Sequence, residues 1–469
     1  MSLDLRENID FESAEDLAVS ASAASMPVDE DQPGVDVPGT EWKTHPLPDQ
    51  DQRFDVVVVG GGPCGATAAN GLAQAGHSVL LLDKDGRIKP CGGAIPPRCV
   101  EDFDIPDDQL VARIKSALMV APSGRQVPMP IDGGYVGMVD REHFDEWLRT
   151  RAQSSGATRA YGGFERFEDC DDGTVRVFFK AKRDGSGAPL RSVIARAVIG
   201  ADGARSAVAK QAVDGAERVP CVFAYHEIVK SPEPESDAAI DADFAPTRCD
   251  VYYQGRVSPD FYGWVFPHGP HTSIGVGSAN KGFSLRGATK TLREVAGLDG
   301  CETVRKEGAP IPLKPLKKWD NGRNVVVAGD AAGIVAPASG EGIYYAMEGG
   351  RRAADAVAMF LATGDARALA TARKKFMKDH GRVFMILGIM QHFWYSSDKR
   401  RERFVSICED PDVQRLTWQA YMNKKLVRAD PMAHLRIFFK DLAHLMGLVS
   451  AAPRDGSAVQ TDVAPKPQG

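Results

Sequence analysis

The sequence predicts an α/β (α+β) fold, in which a Rossmann-like β-α-β unit is interrupted by a mostly antiparallel sheet and followed by a helical region. Three observations carry this prediction. A strand at 54–59 passes through a glycine turn into a helix ending near 75, and a second strand follows at 78–83. Residues alternate between apolar and polar in the manner of half-buried strands farther on, at 117–120, 175–180, 222–228, 250–254, 262–266 and 272–277. From 371 to 449 no strong strand pattern remains, and several helices are expected.

Composition excludes several classes of protein. The 469 residues are 43% hydrophobic and 26% charged, which is ordinary for a soluble globular chain. The longest apolar stretch, 383–390, is far shorter than the roughly 20 residues of a membrane span, and the N-terminus lacks the apolar core of a secretory signal. Eight cysteines without a CxxC pair or regular spacing argue against a disulfide scaffold or zinc module and favour a reducing cytoplasm. His268 and His271 lack companion ligands, so we expect loop histidines and no metal site.

Charge is unevenly distributed along the chain. The net charge is −6, yet residues 1–52 hold 13 Asp/Glu against 2 Lys/Arg, and they are rich in Ser, Ala and Pro. We predict a disordered acidic tail, with a solubilising extension as its simplest role. Residues 451–469 are predicted to be a second disordered tail, whereas 371–449 hold 15 Lys/Arg against 8 Asp/Glu. Nothing in this distribution predicts a nucleic-acid partner.

A GxGxxG motif stands between the first strand and its helix. In the run GGGPCG at 60–65, the first glycine allows a tight turn, the second lets the backbone approach a pyrophosphate, and the third permits close packing. The helix N-terminus offers free N–H groups to phosphates. An acid at the end of the second strand is placed to bind ribose hydroxyls. The predicted cofactor-binding residues here are Gly60, Gly62, Pro63, Gly65, Asp83 and Lys84.

Two further strand-to-glycine turns follow, VIGADGARS at 198–206 and VVVAGDAAG at 325–333. Each aspartate alone could be an ordinary turn residue. Three such turns in this order resemble the FAD-dependent oxidoreductases of the para-hydroxybenzoate hydroxylase type. The resemblance implies that Gly329 and Asp330 bind the ribitol or pyrophosphate side of FAD. It places Asp202 and Gly203 near the pyrophosphate and a transient nicotinamide.

The segment PASGEGIYYA at 337–346 runs from the third turn into an apolar helix. A helix N-terminus at this place would face the flavin pyrimidine, where reduced flavin carries negative charge that a dipole end stabilises. Gly340, Glu341 and Gly342 are therefore predicted to contact the cofactor. A plain loop-to-helix cap explains the glycines but not their position after Asp330.

Three segments narrow the resemblance to the geranylgeranyl reductase family, over about 54–449. They are KPCGGAIP at 89–96, VDREHFDEWL at 139–148 and FYGWVFP at 261–267. Residues 91–96, with 100–106 behind them, resemble the branch that acts in chlorophyll and bacteriochlorophyll synthesis. The resemblance implies stepwise saturation of a geranylgeranyl chain to the phytyl form by reduced FAD, either as a pigment ester or as the free diphosphate.

The same resemblance assigns the remaining site residues. Cys91, Gly92 and Gly93 would form a catalytic loop, in which the thiol is catalytic, gating or only a small packing group. Arg141 would contact FAD or lie solvated at a helix start, and His143 could donate a proton but fits a structural role better. Alternation puts three aromatic rings on one strand face, a suitable wall for an isoprenoid, although ordinary core aromatics would look the same. The predicted substrate-binding residues are Tyr262, Trp264, Phe266 and Pro267.

Partners and surfaces follow from this assignment. NADPH would dock transiently, because the chain has no second GxGxxG unit, and a reduced ferredoxin is the other possible donor. The apolar run 384–395 with the basic run 399–401 suggests a membrane-facing surface, a peripheral location on the cytoplasmic face of a photosynthetic membrane, and contact with pigment-synthesis enzymes. The sequence of 384–395 is equally consistent with a helix buried in the core.

The predicted domain plan is discontinuous. The FAD-binding part would comprise about 53–116, 137–216 and 306–375, the inserted substrate part about 117–136 and 217–305, and the helical region 376–450. Two other functions share parts of the pattern. One is an FAD-dependent monooxygenase acting on an aromatic or apolar substrate, which gives no reason for segments 91–96 and 262–267 together. The other is a prenyl carrier without catalysis, which gives no reason for an intact set of FAD motifs.

Overall fold

The computed structural model describes residues 45–84, 88–181, 189–234, 236–241 and 243–424, all within the compact unit 43–469. Two predicted features lie outside the described residues: the first 44 residues of the tail predicted at 1–52, and the whole of the tail predicted at 451–469. Residues 425–449 lie outside them as well. In chain order the strands are β1 Gln52–Val59, β2 Val79–Asp83, β3 Ala94–Ile95, β4 Ala112–Ile114, β5 Ser116–Val120, β6 Gln126–Pro130, β7 Val136–Met138, β8 Thr158–Tyr161, β9 Gly163–Asp169, β10 Val175–Lys180, β11 Leu190–Gly200, β12 Cys221–Lys230, β13 Arg248–Tyr252, β14 Gly263–His268, β15 His271–Ser278, β16 Thr303–Pro312 and β17 Val325–Val327. The helices are α1 Pro63–Gln74, α2 Pro97–Asp102, α3 Arg141–Ser154, α4 Ala207–Ala212, α5 Asp237–Asp241, α6 Leu285–Val295, α7 Ile343–Thr363, α8 Thr371–Trp394, α9 Asp398–Ile407 and α10 Pro411–Asn423.

The first sheet has the order β8-β2-β1-β11-β10-β9, and β17 also pairs with β11. Strands β8, β2, β1, β11 and β17 run parallel, while β10 pairs antiparallel with both β11 and β9. The run Val56–Val59 is buried on both faces of β1, as expected for a strand covered by helices on both sides. The parallel strands place their carboxyl ends at one edge, where ligands bind in sheets of this kind.

Helices α1, α3 and α7 pack close to this edge. Small residues make the closest approach possible: a Cβ added to Gly350 of α7 would lie 2.2 Å from the carbonyl oxygen of Cys64 in α1. The four alanines of α1 are buried as well. The sequence thereby brings the first turn of α1 and the body of α7 into direct contact.

The second sheet has the order β16-β12-β15-β14-β13-β5-β6 and is antiparallel except for the β13–β5 pair. Helix α6 packs against β12 and β15, and a separate apolar core lies beneath it. A small antiparallel sheet, β3-β7-β4, follows the segment Cys91–Gly93, and β5 and β6 of the second sheet come between β4 and β7 in the sequence. The predicted domain boundary near 306 falls inside β16, which pairs with β12 from Cys221↔Pro312 to Val229↔Thr303.

The C-terminal part is helical as far as it is described, and α8, α9 and α10 follow one another. Tyr395, Phe404 and Trp418 pack with Tyr253 and Tyr262 in one apolar cluster that joins these helices to the second sheet. Among the helices of residues 45–424, none is both long and apolar enough to span a membrane.

The predicted elements are largely confirmed, and the differences have physical causes. Strand β10 has the predicted bounds, but the strand predicted at 250–254 is Arg248–Tyr252. Tyr262 immediately precedes β14 and does not lie in it. The sequence did not predict β3, β4, β6, β7, β8, β9 and β16. Strand β9 has no buried position and β16 has only its last residue buried, so the apolar contrast that marks a strand is weak in both.

Candidate functional site

Four strand ends meet at the carboxyl edge of the first sheet. The amide of Gly60 donates to Leu82, that of Ala201 to Val59 and that of Ala328 to Gly200, so the three predicted glycine turns are neighbours. Gly60 has φ +102°, and a Cβ there would lie 2.3 Å from the Ala201 oxygen, so only glycine fits.

The other glycines of the first turn have separate tasks. A Cβ at Gly65 would lie 1.8 Å from the Gly60 oxygen, so Gly65 lets α1 start directly against the turn. Pro63 occupies the first position of α1, where its missing N–H costs nothing. A Cβ at Gly62 would have only Arg141 Nη2 at 3.9 Å and Asp145 Oδ2 at 4.0 Å as its nearest neighbours. The backbone at Gly62 therefore faces a guanidinium across a narrow space.

Arg141 and Asp145 form a buried ion pair beside that turn. Arg141 Nε and Nη2 donate to the two Asp145 oxygens at 2.7 Å each, and both side chains are less than a tenth exposed. Burial lowers the pKa of Arg141, but the Asp145 carboxylate outweighs burial, so the net pKa is raised and the guanidinium stays charged. The alternative of a solvated arginine was wrong. His143, on the same helix, is exposed.

Asp83 ends β2 beside Gly61. Its carboxylate accepts from Arg149 Nη1 at 3.3 Å, and the same nitrogen donates to the Gly61 oxygen at 3.3 Å. Burial raises the pKa of Asp83, while Arg149 opposes that shift. Lys84 is exposed, and its Cε lies 3.8 Å from the position of a Gly163 Cβ. The acid predicted to bind ribose is thus held in place by an arginine from α3.

Asp202 has a structural task that the sequence did not indicate. It accepts from the Ser206 hydroxyl at 2.5 Å and from the amides of Ala207 and Val208 at 2.7 and 3.2 Å. These bonds fix the start of α4. Gly203 has φ +86°, and a Cβ there would meet no heavy atom within 4 Å, so this glycine lies against open space.

The third turn brings Asp330 to the N-terminus of α7. A Cβ at Gly342 would lie 3.9 Å from Asp330 Oδ1. Asp330 also pairs with Lys89, which comes from the segment before the Cys91–Gly93 loop. Gly329 has φ +64° and a Cβ there would meet Cys64 at 2.8 Å, so this glycine too is required by close packing.

The segment 336–342, which we call the flavin loop, is held from three sides. Tyr262 donates to the Ser339 oxygen at 2.6 Å, and Tyr395 donates to the Ala338 oxygen at 3.0 Å. The amide of Ala338 donates to Gln391 of α8 at 3.2 Å. Lys424, at the end of α10, pairs with Glu341. The loop is therefore tied to the second sheet and to the C-terminal helices.

The loop Cys91–Gly93 is packed against the end of β14. A Cβ at Gly92 would lie 3.2 Å from the Phe266 ring, and His268 Nε2 lies 3.1 Å from the Gly92 oxygen. Burial lowers the pKa of His268 to about 4, so the ring is neutral at pH 7 and we assign the Nε2 proton to this bond. Gly93 has φ +70° and accepts no side chain, since a Cβ would lie 2.4 Å from His268 Cε1. Cys91 Sγ accepts from the Gly93 amide at 3.4 Å and neighbours Arg141.

The predicted aromatic row exists. Ring centroids of Tyr262 and Trp264 lie 6.1 Å apart, and those of Trp264 and Phe266 lie 6.3 Å apart. Trp264 donates to Ser273 at 3.1 Å and covers Gly275 of the next strand. Pro267 falls on the opposite face by strand alternation.

Sequence reasoning missed several residues around the site. Asp145 and Arg149 follow Arg141 at intervals of four on α3, a helical spacing that would have found them. His268 and His271 were expected in a loop, but they end β14 and begin β15. Lys89 and Lys424 carry no local signal, because their partners are 241 and 83 residues away.

The donor set suits a dinucleotide with a flavin. Open space at Gly62 faces a fixed cation, which fits a pyrophosphate, and the turns at Asp83 and Asp330 offer carboxylates for hydroxyl groups. Oε1 of Glu341 is buried and has no hydrogen-bond partner within the described part of the chain, which fits an N–H donor from a bound ring. In that part of the chain no three His, Cys, Asp or Glu side chains are grouped as a metal ion would need.

Comparison with known proteins agrees with this reading. The family model described as FAD binding domain matches residues 53–220. A geranylgeranyl diphosphate reductase of Rhodobacter capsulatus is 56% identical over 397 residues, which are 85% of this chain and 98% of that protein. The chloroplastic geranylgeranyl diphosphate reductase of Oryza sativa subsp. japonica is 34% identical over 412 residues, which are 84% of this chain and 87% of that protein.

A solved structure shares the fold. The geranylgeranyl bacteriochlorophyll reductase-like protein from Thermoplasma acidophilum superposes with a TM-score of 0.70 at 21% identity, over 85% of this chain and 100% of that one. The predicted α/β (α+β) class, with an FAD-binding part and a helical C-terminal region, is confirmed.

Proposed function

The chain belongs to the geranylgeranyl diphosphate reductase family, and on that premise we propose how its site reduces a geranylgeranyl chain. The protein is an FAD-dependent oxidoreductase that acts on carbon–carbon double bonds. The observation that carries the proposal is the meeting of the Cys91–Gly93 loop with Phe266 and His268 of the aromatic strand. That contact supports a site in which the predicted catalytic loop borders the predicted apolar wall.

The cofactor is held by the turns and by α3. Gly60, Gly62 and Gly65 let the backbone and the start of α1 approach the pyrophosphate, and Arg141 supplies a charge fixed by Asp145. Asp83 would take the ribose hydroxyls and Asp330 the ribitol or pyrophosphate side. Gly340, Glu341 and Gly342 would contact the flavin ring.

The prenyl chain lies along the wall formed by Tyr262, Trp264 and Phe266. An unactivated alkene offers little charge to stabilise, so orientation is the main source of rate. FAD, when bound and reduced, supplies a hydride to one alkene carbon. Gly92 and Gly93 keep the space in front of the wall free of side chains. The hydroxyl of Tyr262 donates its hydrogen bond to the Ser339 oxygen, so Tyr262 positions the flavin loop.

The second alkene carbon needs a proton, and we assign it to the Cys91 thiol. Cys91 neighbours Arg141, and the next residue of its loop, Gly92, faces the Phe266 ring of the aromatic wall. The thiol S–H bond breaks as the new C–H bond forms, and water then returns the proton to sulfur. The neighbouring guanidinium stabilises the transient thiolate.

The Cys91 assignment is tested by Cys91→Ala and Cys91→Ser, with Cys170→Ala as the matched control on a turn between β9 and β10. We expect Cys91→Ala to lower the rate of substrate-dependent flavin reoxidation by about 10²-fold or more, the range for a lost general acid. Flavin binding should be retained, and Cys170→Ala should match the wild type. A Cys91→Ala protein that reoxidises at the wild-type rate would leave the thiol with a packing role.

The electron donor and the form of the substrate belong to the same proposal. We propose that NADPH docks transiently and that reduced ferredoxin is the competing donor. Mixing each donor with oxidised protein under anaerobic conditions, and following the loss of flavin absorbance, separates the two. The reduced protein is then mixed with geranylgeranyl diphosphate or with a geranylgeranylated bacteriochlorophyll, and the faster reoxidation identifies the substrate of this (bacterio)chlorophyll-pathway enzyme.

Helix α8 carries an exposed apolar stripe. Met385, Ile386 and Ile389 are 51%, 37% and 61% exposed and share one face by their spacing. Arg400 lies 4.4 Å over the Phe393 ring at one end. Phe384 and Tyr395 of the predicted surface are buried, and so is Arg401, which bonds Asp398 and two backbone oxygens. Of the surface predicted to face a membrane, this stripe is the part that we retain.

We propose that the stripe touches an anionic membrane, from which a long-tailed pigment reaches the site. Co-sedimentation with vesicles of phosphatidylglycerol and phosphatidylcholine tests this. Exchange of Met385 and Ile389 for serine should weaken binding at least tenfold, since each buried side chain contributes about 1.5–3 kcal/mol. Met359→Ser removes an equally exposed methionine on α7, at 42%, and should change nothing. Equal binding by all three proteins would contradict the proposal.

The domain plan is part of the proposal. We assign about 53–116, 137–216 and 306–375 to FAD binding and about 117–136 and 217–305 to the substrate. Strands β5, β6 and β12 to β15 of the second sheet fall in or near the latter ranges, and β16 extends that sheet to Pro312.

A further inference from the structure

A second buried ion pair joins the end of α10 to the flavin loop. Lys424 Nζ bonds Glu341 Oε2, and the two side chains are 3% and 6% exposed. A buried pair of this kind gains little stability, because removing both charges from water offsets most of their attraction. Nothing in the hydride and proton steps described above uses it.

The backbone of Lys424 has a conformation that is unfavourable for a lysine. Lys424 follows α10 with φ +54° and ψ 30°, the left-handed position that glycine or asparagine usually occupies. Its Nζ lies 3.9 Å from the Tyr421 ring centroid, and 5.9 and 5.7 Å from those of Tyr344 and Tyr345. Three rings and one carboxylate thus enclose a cation.

Glu341 stands at the helix start that would face the pyrimidine of a bound flavin. It lies between Gly340 and Gly342, directly before α7, and a Cβ at Gly342 would lie 3.9 Å from Asp330 Oδ1. An unpaired carboxylate at this helix start would repel the negative charge of a reduced flavin and cancel the helix dipole. With Lys424 beside it, the pair is neutral overall.

We propose that Lys424 is a positioning residue that neutralises Glu341 and thereby sets the reduction potential of the flavin. The inference rests on the placement of FAD at the flavin loop proposed above. The end of α10, a helix that packs against the second sheet, then controls how readily the cofactor accepts electrons. A charge near the flavin ring is one of the recognised means by which a protein tunes it.

The groups that face the pair are thiols, phenols and the imidazole of His380 on α8, whose pKa is lowered by burial so that the ring is neutral at pH 7. Two further carboxylates near this enclosure, Asp330 and Asp102, are themselves paired with Lys89 and Arg98. Burial raises the pKa of Glu341 and lowers that of Lys424, so a proton shared between them leaves the sum at zero. Burial also raises the pKa of every thiol and phenol that faces the pair from α2, α7, α10 and the segment before β14, and these groups stay neutral. They are Cys99, Tyr344, Tyr345, Tyr421 and Tyr262.

The test is a dye-equilibrated, anaerobic titration of the flavin potential in FAD-loaded protein, from about pH 6 to about pH 9, the range in which a buried glutamate can titrate. Glu341→Gln leaves Lys424 as an uncompensated cation at the acid end and should there raise the equilibrium constant for reduction at least tenfold, which is about 30 mV for two electrons. The shift should fade as the pH rises, because burial lowers the pKa of Lys424. Lys424→Met should lower the equilibrium constant by a similar factor at the alkaline end and return towards the wild type as Glu341 protonates. The double variant and Lys424→Arg should stay within about twofold of the wild type.

Opposite shifts that cancel in the double variant support the inference, because loosened packing cannot produce them. Two single variants that shift in the same direction, or that both stay within twofold at every pH, would overturn it. Turnover by the wild type is measured in parallel. A wild type that reduces the prenyl chain while the variants show no shift contradicts only this inference, and the proposed function stands.

Discussion

At the scale of single residues, the site depends on charges that are buried and paired. The Arg141–Asp145 pair stands beside the Gly62 turn, and removing one partner leaves the other as an uncompensated buried charge. That loss typically costs about 3–5 kcal/mol of folding free energy, far more than a surface pair.

We therefore expect Asp145→Asn to lower the free energy of unfolding by about 3 kcal/mol or more and to weaken FAD binding. Urea unfolding and fluorescence titration with FAD measure the two effects. Asp365→Asn is the control, because Asp365 pairs with an Arg367 side chain that is 91% exposed. The control should change stability by less than about 0.5 kcal/mol. If the two variants were equally stable, the buried pair would contribute no more to stability than a surface pair.

Two glycines of α1 make a second residue-level prediction. Gly65→Ala puts a methyl group 1.8 Å from the Gly60 oxygen, so the turn must move, and we expect a loss of about 1–3 kcal/mol together with loss of FAD. Gly71→Ala meets only the Ala354 Cβ at 3.8 Å and should stabilise the helix by about 0.5–1 kcal/mol. Thermal unfolding and flavin content of the two variants decide the matter. Similar behaviour of both would mean that the turn tolerates a side chain.

At the scale of secondary-structure elements, the site is assembled by contacts between loops and distant strands. β14 ends at His268, which is bonded to Gly92, while Tyr262 before that strand is bonded to Ser339. The same strand thus fixes both the Cys91–Gly93 loop and the flavin loop. Its position determines the space between them.

Acid should weaken this connection. Burial lowers the pKa of His268 to about 4 from the usual 6.5, so the folded state resists protonation while the unfolded state accepts it. The unfolded state gains protons below about pH 6.5, and stability falls as the pH drops from there towards 4. We expect His268→Gln, which can still donate to Gly92, to reduce this slope by up to about 1.4 kcal/mol per pH unit. Urea unfolding at several pH values measures it; the slopes should coincide above about pH 7.5, and parallel slopes in acid would refute the assignment.

Features that depend on neighbouring residues in the sequence could be predicted, and features that depend on contacts between distant residues could not. The β1–α1–β2 unit, the aspartates of the later turns and the flavin loop are signalled by glycines at fixed offsets from apolar strands. Arg141 was expected near the cofactor, but its burial depends on Asp145 and the Gly62 turn together. Lys89 and Lys424 pair with carboxylates that are far away in the sequence, and no local sequence pattern predicts these pairs.

At the scale of the whole molecule, two sheets and a helical region divide the work. The first sheet gathers the cofactor turns at one edge, the second offers an aromatic wall, and α8 to α10 join the wall to the flavin loop. The same fold also supports other flavin chemistry, so the fold alone does not decide the reaction. The family membership and the meeting of Cys91–Gly93 with Phe266 favour reduction of a prenyl chain.

The most direct test of that central claim is product analysis with oxygen controlled. The FAD-loaded protein is mixed anaerobically with a geranylgeranylated bacteriochlorophyll, or with geranylgeranyl diphosphate, and an excess of reductant. We expect mass spectrometry to show the tail gaining mass in two-dalton steps, up to six daltons, in the absence of oxygen. No gain without oxygen, and a sixteen-dalton gain when oxygen is admitted, would contradict the account and make the protein a monooxygenase.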